Sequence, residues 1–228
     1  MNGSVVRLTQ GDPSKKTVYY SDPVRAALHW QAEGAKRLHI IDLDAALGLG
    51  QNNEEVQKII SAISIPTQVG GGIRSLDKAE EYFSAGADRI IIGTKALEDK
   101  SFVNSILRKF GRSHIVAAVD YGEKGVVVRG WTESTGKSVV DAVGNLVSLR
   151  VEYFLVTSAN RDGTRIGPDY RILEEVCSLK VNIIAAGGIE SLDDLVRLKD
   201  IGVHSVVLGR SIYDGALKLH DAIKVAGD

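Results

Sequence analysis

The sequence predicts an α/β fold of the (β/α)₈-barrel type, assembled from two similar half-barrels. Short apolar runs alternate with segments of helical period along the whole chain. Such alternation with short connections demands parallel strands covered by helices, and seven or eight strand–helix units favour a closed barrel over an open sheet. The chain also repeats itself at an offset of 116 residues, the mark of a duplicated architecture. Its 228 residues, 44% of them hydrophobic, suffice for one barrel domain spanning 1–228.

Taken in order, the apolar runs at 38–43, 66–69, 89–92, 114–119, 153–157, 181–185 and 205–208 read as seven strands. Helical patterns at 22–34, 52–62, 75–86, 98–110, 139–150, 169–179, 191–202 and 212–225 make eight helices. Ser75-Leu76-Asp77 and Ser191-Leu192-Asp193 each place a hydroxyl cap and an early acid before an amphipathic stretch, and Gly34, Gly86 and Gly202 close their helices. At the 116-residue offset, Gly72-Ile73-Arg74-Ser75-Leu76 falls on Gly188-Ile189-Glu190-Ser191-Leu192, Gly86 on Gly202, Gly93 on Gly209, and Ile41-Asp42-Leu43-Asp44 on Thr157-Ser158-Ala159-Asn160.

The repeat also exposes a mismatch. In the second half, the strand 114–119 ends in Asp120 and runs on into a small hairpin, Val126-Val127-Val128-Arg129. In the first half the hairpin has a counterpart in Val5-Val6-Arg7-Leu8, whereas the strand that should precede it would fall before Met1. The expectation is a barrel lacking its first strand; the alternative is that 5–8 itself serves as strand one. A chain so built should either slide 5–8 into the gap or leave the edge strands 38–43 and 205–208 standing apart.

Lys plus Arg number 28 against 29 Asp plus Glu, so no net field draws this chain to nucleic acid or an anionic membrane, and the expected partner is a small molecule. Cys177 stands alone, which excludes an internal disulfide and suits a reducing, cytoplasmic setting. No apolar run approaches the roughly 18 residues of a membrane span. No metal-ligand spacing and no dinucleotide Gly-x-Gly-x-x-Gly follows a first strand, so neither metal nor cofactor is expected. A monomer is expected.

Gly70-Gly71-Gly72 and Gly187-Gly188 follow strands and let the backbone bend tightly with bare N–H groups at a helix start. The neighbouring strands end in Gly93-Thr94 and Gly209-Arg210, so each half offers a paired anion site. Lone glycine pairs are ordinary turns; two symmetric pairs at strand ends point to a ligand with a phosphate at each end. Asp120 closes a strand whose preceding residues are all apolar, where partial desolvation would raise its pKa and fit it to donate a proton; a helix cap or surface acid is the alternative. Thr157 ends the next strand and offers a hydroxyl, or is simply a β-branched strand residue. Trp131, on the glycine hinge Arg129-Gly130-Trp131, covers a ligand or packs. Asn160-Arg161-Asp162-Gly163-Thr164 reads as a turn or as a polar loop over the site.

These motifs in this order resemble the ProFAR isomerases of histidine biosynthesis. The likeness covers nearly the whole chain and rests on Val6–Asp12, His39–Asp44, Gln68–Arg74, Arg129-Gly130-Trp131 and Arg161–Thr164. It implies an Amadori rearrangement that converts N′-formimino-aminoimidazole-carboxamide ribotide from aminoaldose to aminoketose. Asp120 then matches the general acid that opens the ribose ring, and Thr157 a residue supporting the reacting sugar. Arg7, Asp42, Gly71, Gly72, Arg74, Gly93, Thr94, Trp131, Asp162, Gly187, Gly188, Gly209 and Arg210 are implied to bind a bis-phosphate substrate. The family's general base, an Asp ending the first strand, would lie before the sequence aligned with Met1. Two further readings stay open: a phosphosugar-binding protein with impaired turnover for want of that base, and a dual isomerase that also accepts phosphoribosylanthranilate.

Overall fold

The chain opens with an antiparallel hairpin, β1 (Val5–Thr9) and β2 (Asp12–Tyr20), that forms a two-stranded sheet of its own. The computed structural model describes residues 1–164 and 166–227. The first helix, α1 (Pro23–Ala32), starts where the sequence predicts: Asp22 accepts hydrogen bonds from the N–H groups of Val24 and Arg25, and Pro23 sits at a position that needs no donor. Strand–helix units follow: β3 (Leu38–Ile41), α2 (Leu43–Leu47), α3 (Asn53–Ala62), β4 (Thr67–Gly70), α4 (Leu76–Ser84), β5 (Arg89–Ile92), α5 (Thr94–Glu98) and α6 (Lys100–Phe110). The second half runs β6 (Ile115–Gly122), the hairpin β7 (Gly125–Val128) and β8 (Glu133–Ser134), α7 (Val139–Ser148), β9 (Tyr153–Ser158), α8 (Tyr170–Cys177), β10 (Asn182–Ala186), α9 (Leu192–Ile201), β11 (Ser205–Val207), α10 (Arg210–Tyr213) and α11 (Leu219–Ala226).

Seven parallel strands form the wall in the order β11-β10-β9-β6-β5-β4-β3. This is the predicted barrel, open between β11 and β3. Residues 5–8 do not enter the gap; they pair with β2, so the edge strands stand apart. Ile91, Val116, Ala118, Leu155 and Ile184 fill the barrel interior, while a larger apolar layer lies between strands and helices. Both faces of the inner strands β4, β5, β6, β9 and β10 are largely buried, which is why they read as continuous apolar runs, while the edge strands β3 and β11 are only partly covered. Among the described residues no helix is long and apolar enough to cross a membrane.

Two predicted helices need adjustment. The pattern at 98–110 corresponds to α6, which starts at Lys100 because the Asp99 carboxylate accepts the Phe102 N–H and the Ser101 hydroxyl, and the short α5 before it was not predicted. The pattern at 212–225 is split into α10 and α11 by a turn in which Leu217 N–H reaches the Ser211 carbonyl.

The 116-residue repeat survives in three dimensions. Ser75 and Ser191 cap α4 and α9 through the N–H groups of Lys78 and Asp194. Gly93 (φ −98°, ψ −109°) and Gly209 (φ −123°, ψ −109°) take nearly the same backbone conformation ahead of α5 and α10. A repeat that fixes backbone angles, not only residue types, marks two half-barrels built alike.

Candidate active site

All parallel strands deliver their C-terminal ends to one mouth, where barrel folds carry their chemistry. A cavity of about 710 Å³ opens there, and each of the fifteen residues singled out from sequence lines it. The fifteen residues thus share one face of the barrel. What each side chain does there follows from its contacts.

Asp120 lies in register with Thr157 of the neighbouring strand. Burial pushes its carboxyl above the ordinary value of 3.8; hydrogen bonds from the Trp131 indole and the Thr157 hydroxyl oppose that, and the charge of Asp162 adds to it. The indole Nε1–H donates to Oδ2 over 2.9 Å. Three successive residues with left-handed backbone, Arg129 (φ 55°), Gly130 (φ 65°) and Trp131 (φ 69°), bend the segment after β7 so that this ring reaches the acid. Left-handed geometry at two non-glycine residues costs strain that only a fixed surrounding sustains. Here Arg129 N–H is held by the Thr94 hydroxyl at 2.8 Å and its guanidinium by Glu98 and Glu133.

The glycine corners are matched pairs. A side chain at Gly71 would strike the Asp42 carbonyl at 2.2 Å, and one at Gly187 would meet the Ser158 carbonyl at 3.2 Å, positions that are themselves 116 residues apart. Gly72 abuts Ala45, and Gly188 abuts Gly167 and Arg161. All four have positive φ. Beside each corner a short helix begins at a glycine that offers no side-chain cap, so no capping side chain occupies its first N–H groups.

Arg7 reaches over from β1 so closely that a side chain at Gly209 would fall 2.8 Å from its guanidinium, and it lies 5.5 Å from the Tyr213 ring. Its charge also acts on Asp162, whose carboxyl is pushed up by burial and drawn back by Arg7. Arg210 turns aside: it pairs with Asp214 and donates to the Gly163 carbonyl, tying the 160–164 loop to α10. The cation that sits at the second corner is thus Arg7. Arg74 is exposed at the rim.

Asp42 is 2% exposed and spends its oxygens on Ala45 N–H, Asn52 N–H and the Asn52 amide. It caps α2 and pins the loop beneath the first corner. Asp44 and Asn52, which sequence reasoning passed over, complete this network: Asp44 accepts from Asn2 N–H and the Asn52 amide, and Asn52 accepts from Gly3 N–H. The legible signal was an Asp-Leu-Asp at a strand end, the pattern of an N-cap followed by an early acid. His39 is half-buried, and desolvation, with a smaller contribution from Arg7, lowers its pKa to about 3; its Nδ1 lies 2.8 Å from the Gln68 amide.

Comparison with known proteins adds to this geometry. A family model for histidine biosynthesis proteins matches residues 1–218. A relative from Nitrosopumilus maritimus is 40% identical over 223 residues, 97% of this chain and 94% of the relative. One from Cenarchaeum symbiosum is 41% identical over 224 residues, 98% and 95%. One from Thermus thermophilus is 39% identical over 223 residues, 97% and 94%. All three carry the name of an isomerase acting on an imidazole-4-carboxamide that bears two 5-phosphoribosyl groups.

Proposed function

The chain belongs to the family of histidine biosynthesis proteins, and on that premise we propose that it is an aldose–ketose isomerase that rearranges a ribosylamino imidazole carboxamide carrying two phosphates. The observation that carries this reading is Asp120, an acid whose carboxyl is pushed up by burial, in a mouth lined by two matched glycine corners.

Asp120 gives its proton to the ribose ring oxygen as the bond from C1′ to that oxygen breaks, and the nitrogen lone pair closes a C=N⁺ bond at C1′. Loss of the C2′ proton to a carboxylate yields an enolamine. Return of a proton to C1′ and departure of the hydroxyl proton leave a methylene and a ketone, so atoms and electrons balance within one molecule. Proton transfer by a positioned side chain is worth typically about 10²–10⁴ in rate.

Two acids that feel each other in one site separate their titrations, and the member beside a cation is the one that ionises. Arg7 stands by Asp162, whereas two hydrogen-bond donors but no cation stand by Asp120. Burial pushes both carboxyls up, and Arg7 draws that of Asp162 back, so we assign Asp162, the mouth carboxyl with a cation beside it, to accept the C2′ proton. Thr157 holds the Asp120 carboxyl in line. Trp131 covers the reacting sugar from the hinge above.

The two phosphates go to the two corners: one to Gly71, Gly72, Gly93 and Thr94, the other to Gly187, Gly188 and Gly209 with Arg7 in place of Arg210. Bare N–H groups at a tight turn and at a helix start are ready anion donors. A reducing, cytoplasmic setting suits the single Cys177 thiol. The test is to measure binding and turnover of the bis-phosphate aminoaldose side by side; turnover with release of the aminoketose supports the reading, and tight binding with no product rejects it.

A further inference from the structure

Thr94 and Arg210 stand 116 residues apart, each directly after a corner glycine, Gly93 or Gly209. In the wall, β6 and β9 lie between β5 on one side and β10 and β11 on the other, so Asp120 and its neighbour Thr157 have one corner to each side. Both corner residues spend a side-chain atom on a loop between the corners. The Thr94 hydroxyl accepts the Arg129 N–H at 2.8 Å, two residues before the Trp131 indole that donates to Asp120. Arg210 donates to the Gly163 carbonyl at 2.5 Å, one residue after Asp162, while its Nε pairs with Asp214, which also accepts the Tyr19 hydroxyl.

A hydrogen bond to the backbone fixes a loop at less cost in rotamer entropy than one between two long side chains. Arg129 also reaches Glu98 and Glu133, but those pairs are exposed and worth little. Its left-handed backbone continues through Gly130 to Trp131, so slack at the Arg129 N–H passes directly to the indole. Across the mouth, Gln10 N–H donates to the Asp162 carbonyl at 3.2 Å from the first hairpin, and Arg210 grips the next carbonyl from α10. We propose that Thr94 and Arg210 are matched positioning residues: the first aims the Trp131 indole at the proton donor Asp120, and the second holds the proton acceptor Asp162 beside Arg7. The inference rests on the functional reading of those two acids and deepens it by giving each a tether outside the reacting groups. It also accounts for Arg210 turning away from its corner. A hydroxyl that accepts keeps a proton to donate, so Thr94 can serve a phosphate and Arg129 at once, whereas Arg210 serves the loop and leaves the corner to Arg7.

The test removes each tether and follows both acids, by carbon-13 carboxyl titration of the free protein and by the pH profile of kcat. The groups acting on Asp120 are Trp131, Thr157 and Asp162, and the charge acting on Asp162 is that of Arg7. Thr94→Val removes the acceptor at nearly constant shape, so Asp120, losing the indole's hold, should titrate higher and the alkaline limb should move up. In a Trp131→Phe background the same change should add nothing, since both act through one bond. Thr94→Ser should restore the parent profile. Arg210→Met keeps the stem and loses the donor, so Asp162 should drift from Arg7, titrate higher and move the acid limb up; Arg210→Lys should recover part of this. Each loss should lower kcat by about tenfold to a hundredfold with a smaller change in KM. An unmoved titration and limb in either Thr94→Val or Arg210→Met overturns the proposal, even where Tm or KM changes. So does a Thr94→Val shift that adds in full to that of Trp131→Phe. A parent chain that binds the aminoaldose and yields no aminoketose overturns the functional reading instead, and with it the tethers' part in turnover, whatever the titrations show.

Discussion

Replacing Asp120 by Asn removes one proton and little else. The amide oxygen can still accept the Trp131 indole N–H now 2.9 Å from Oδ2, and the Thr157 hydroxyl keeps a partner across the strand pair. Shape and burial are conserved, so ligand binding should stay within about tenfold, or ~1.4 kcal/mol. The lost group acts only as the ring opens, and kcat should fall by about 10²–10⁴. Stability should change in a defined direction. The folded-state pKa of Asp120 is raised, so the parent's contribution from this site is whole below the ordinary carboxylate value and is lost as pH rises through the raised one. The amide introduced by Asp120→Asn does not titrate, and the variant should melt above the parent at alkaline pH, the gain fading on acidification. Turnover, titration calorimetry and melts across pH check the three parts together. An Asn variant that keeps more than half of its kcat would remove Asp120 from the acid role.

Trp131→Phe takes away a donor that favours the ionised form of Asp120, so the alkaline limb of the kcat profile should move to higher pH; an unmoved limb would mean the indole bond does not form in solution. Asp162→Asn should lower kcat by about 10²–10⁴ with a smaller effect on Kd, and unchanged turnover would leave the proton acceptor elsewhere. Gly71→Ala forces a methyl against the Asp42 carbonyl at 2.2 Å, whereas Gly187→Ala meets Ser158 at 3.2 Å; Gly71→Ala should cost several kcal/mol and clearly more than its counterpart in a thermal melt. Desolvated His39 must charge on unfolding, so stability should drop as pH falls from 6.5 toward about 3, and His39→Gln should flatten that slope in acid-denaturation curves.

The barrel was legible because its inner strands are buried on both faces and several of its helices carry explicit caps. Ile115–Val119 is fully apolar, and Ser75, Ser191 and Asp22 each end a non-helical stretch with a side-chain acceptor. The half-barrel repeat was legible from glycines because steric contact, such as that of Gly71 with Asp42 and of Gly187 with Ser158, tolerates nothing else in the same register. Short elements were not. α2, α5 and α10 span five residues or fewer, too short for a period of 3.6 to show. β2 is a mostly exposed strand whose run Asp12–Thr17 carries two lysines and no apolar alternation, so it left no strand signal. Within the site, residue types were legible but orientations were not. Arg210 looked like the phosphate cation from its place after Gly209, yet Asp214 one helical turn on draws it away, and Arg7 from a distant hairpin stands there. Asp42 looked like a substrate ligand at a strand end, yet Asn52 ten residues later takes up both its oxygens.

The central claim, that this mouth isomerises an aminoaldose to an aminoketose by proton transfer, is tested most directly with substrate labelled with carbon-13 at C1′ and incubated with the enzyme in deuterated water. The account predicts that the C1′ resonance moves from the region of a carbon bonded to both nitrogen and oxygen to that of a methylene beside nitrogen, that it gains deuterium, and that Asp120→Asn slows this by about 10²–10⁴. A C1′ signal that stays where it began while the substrate is fully bound would contradict it.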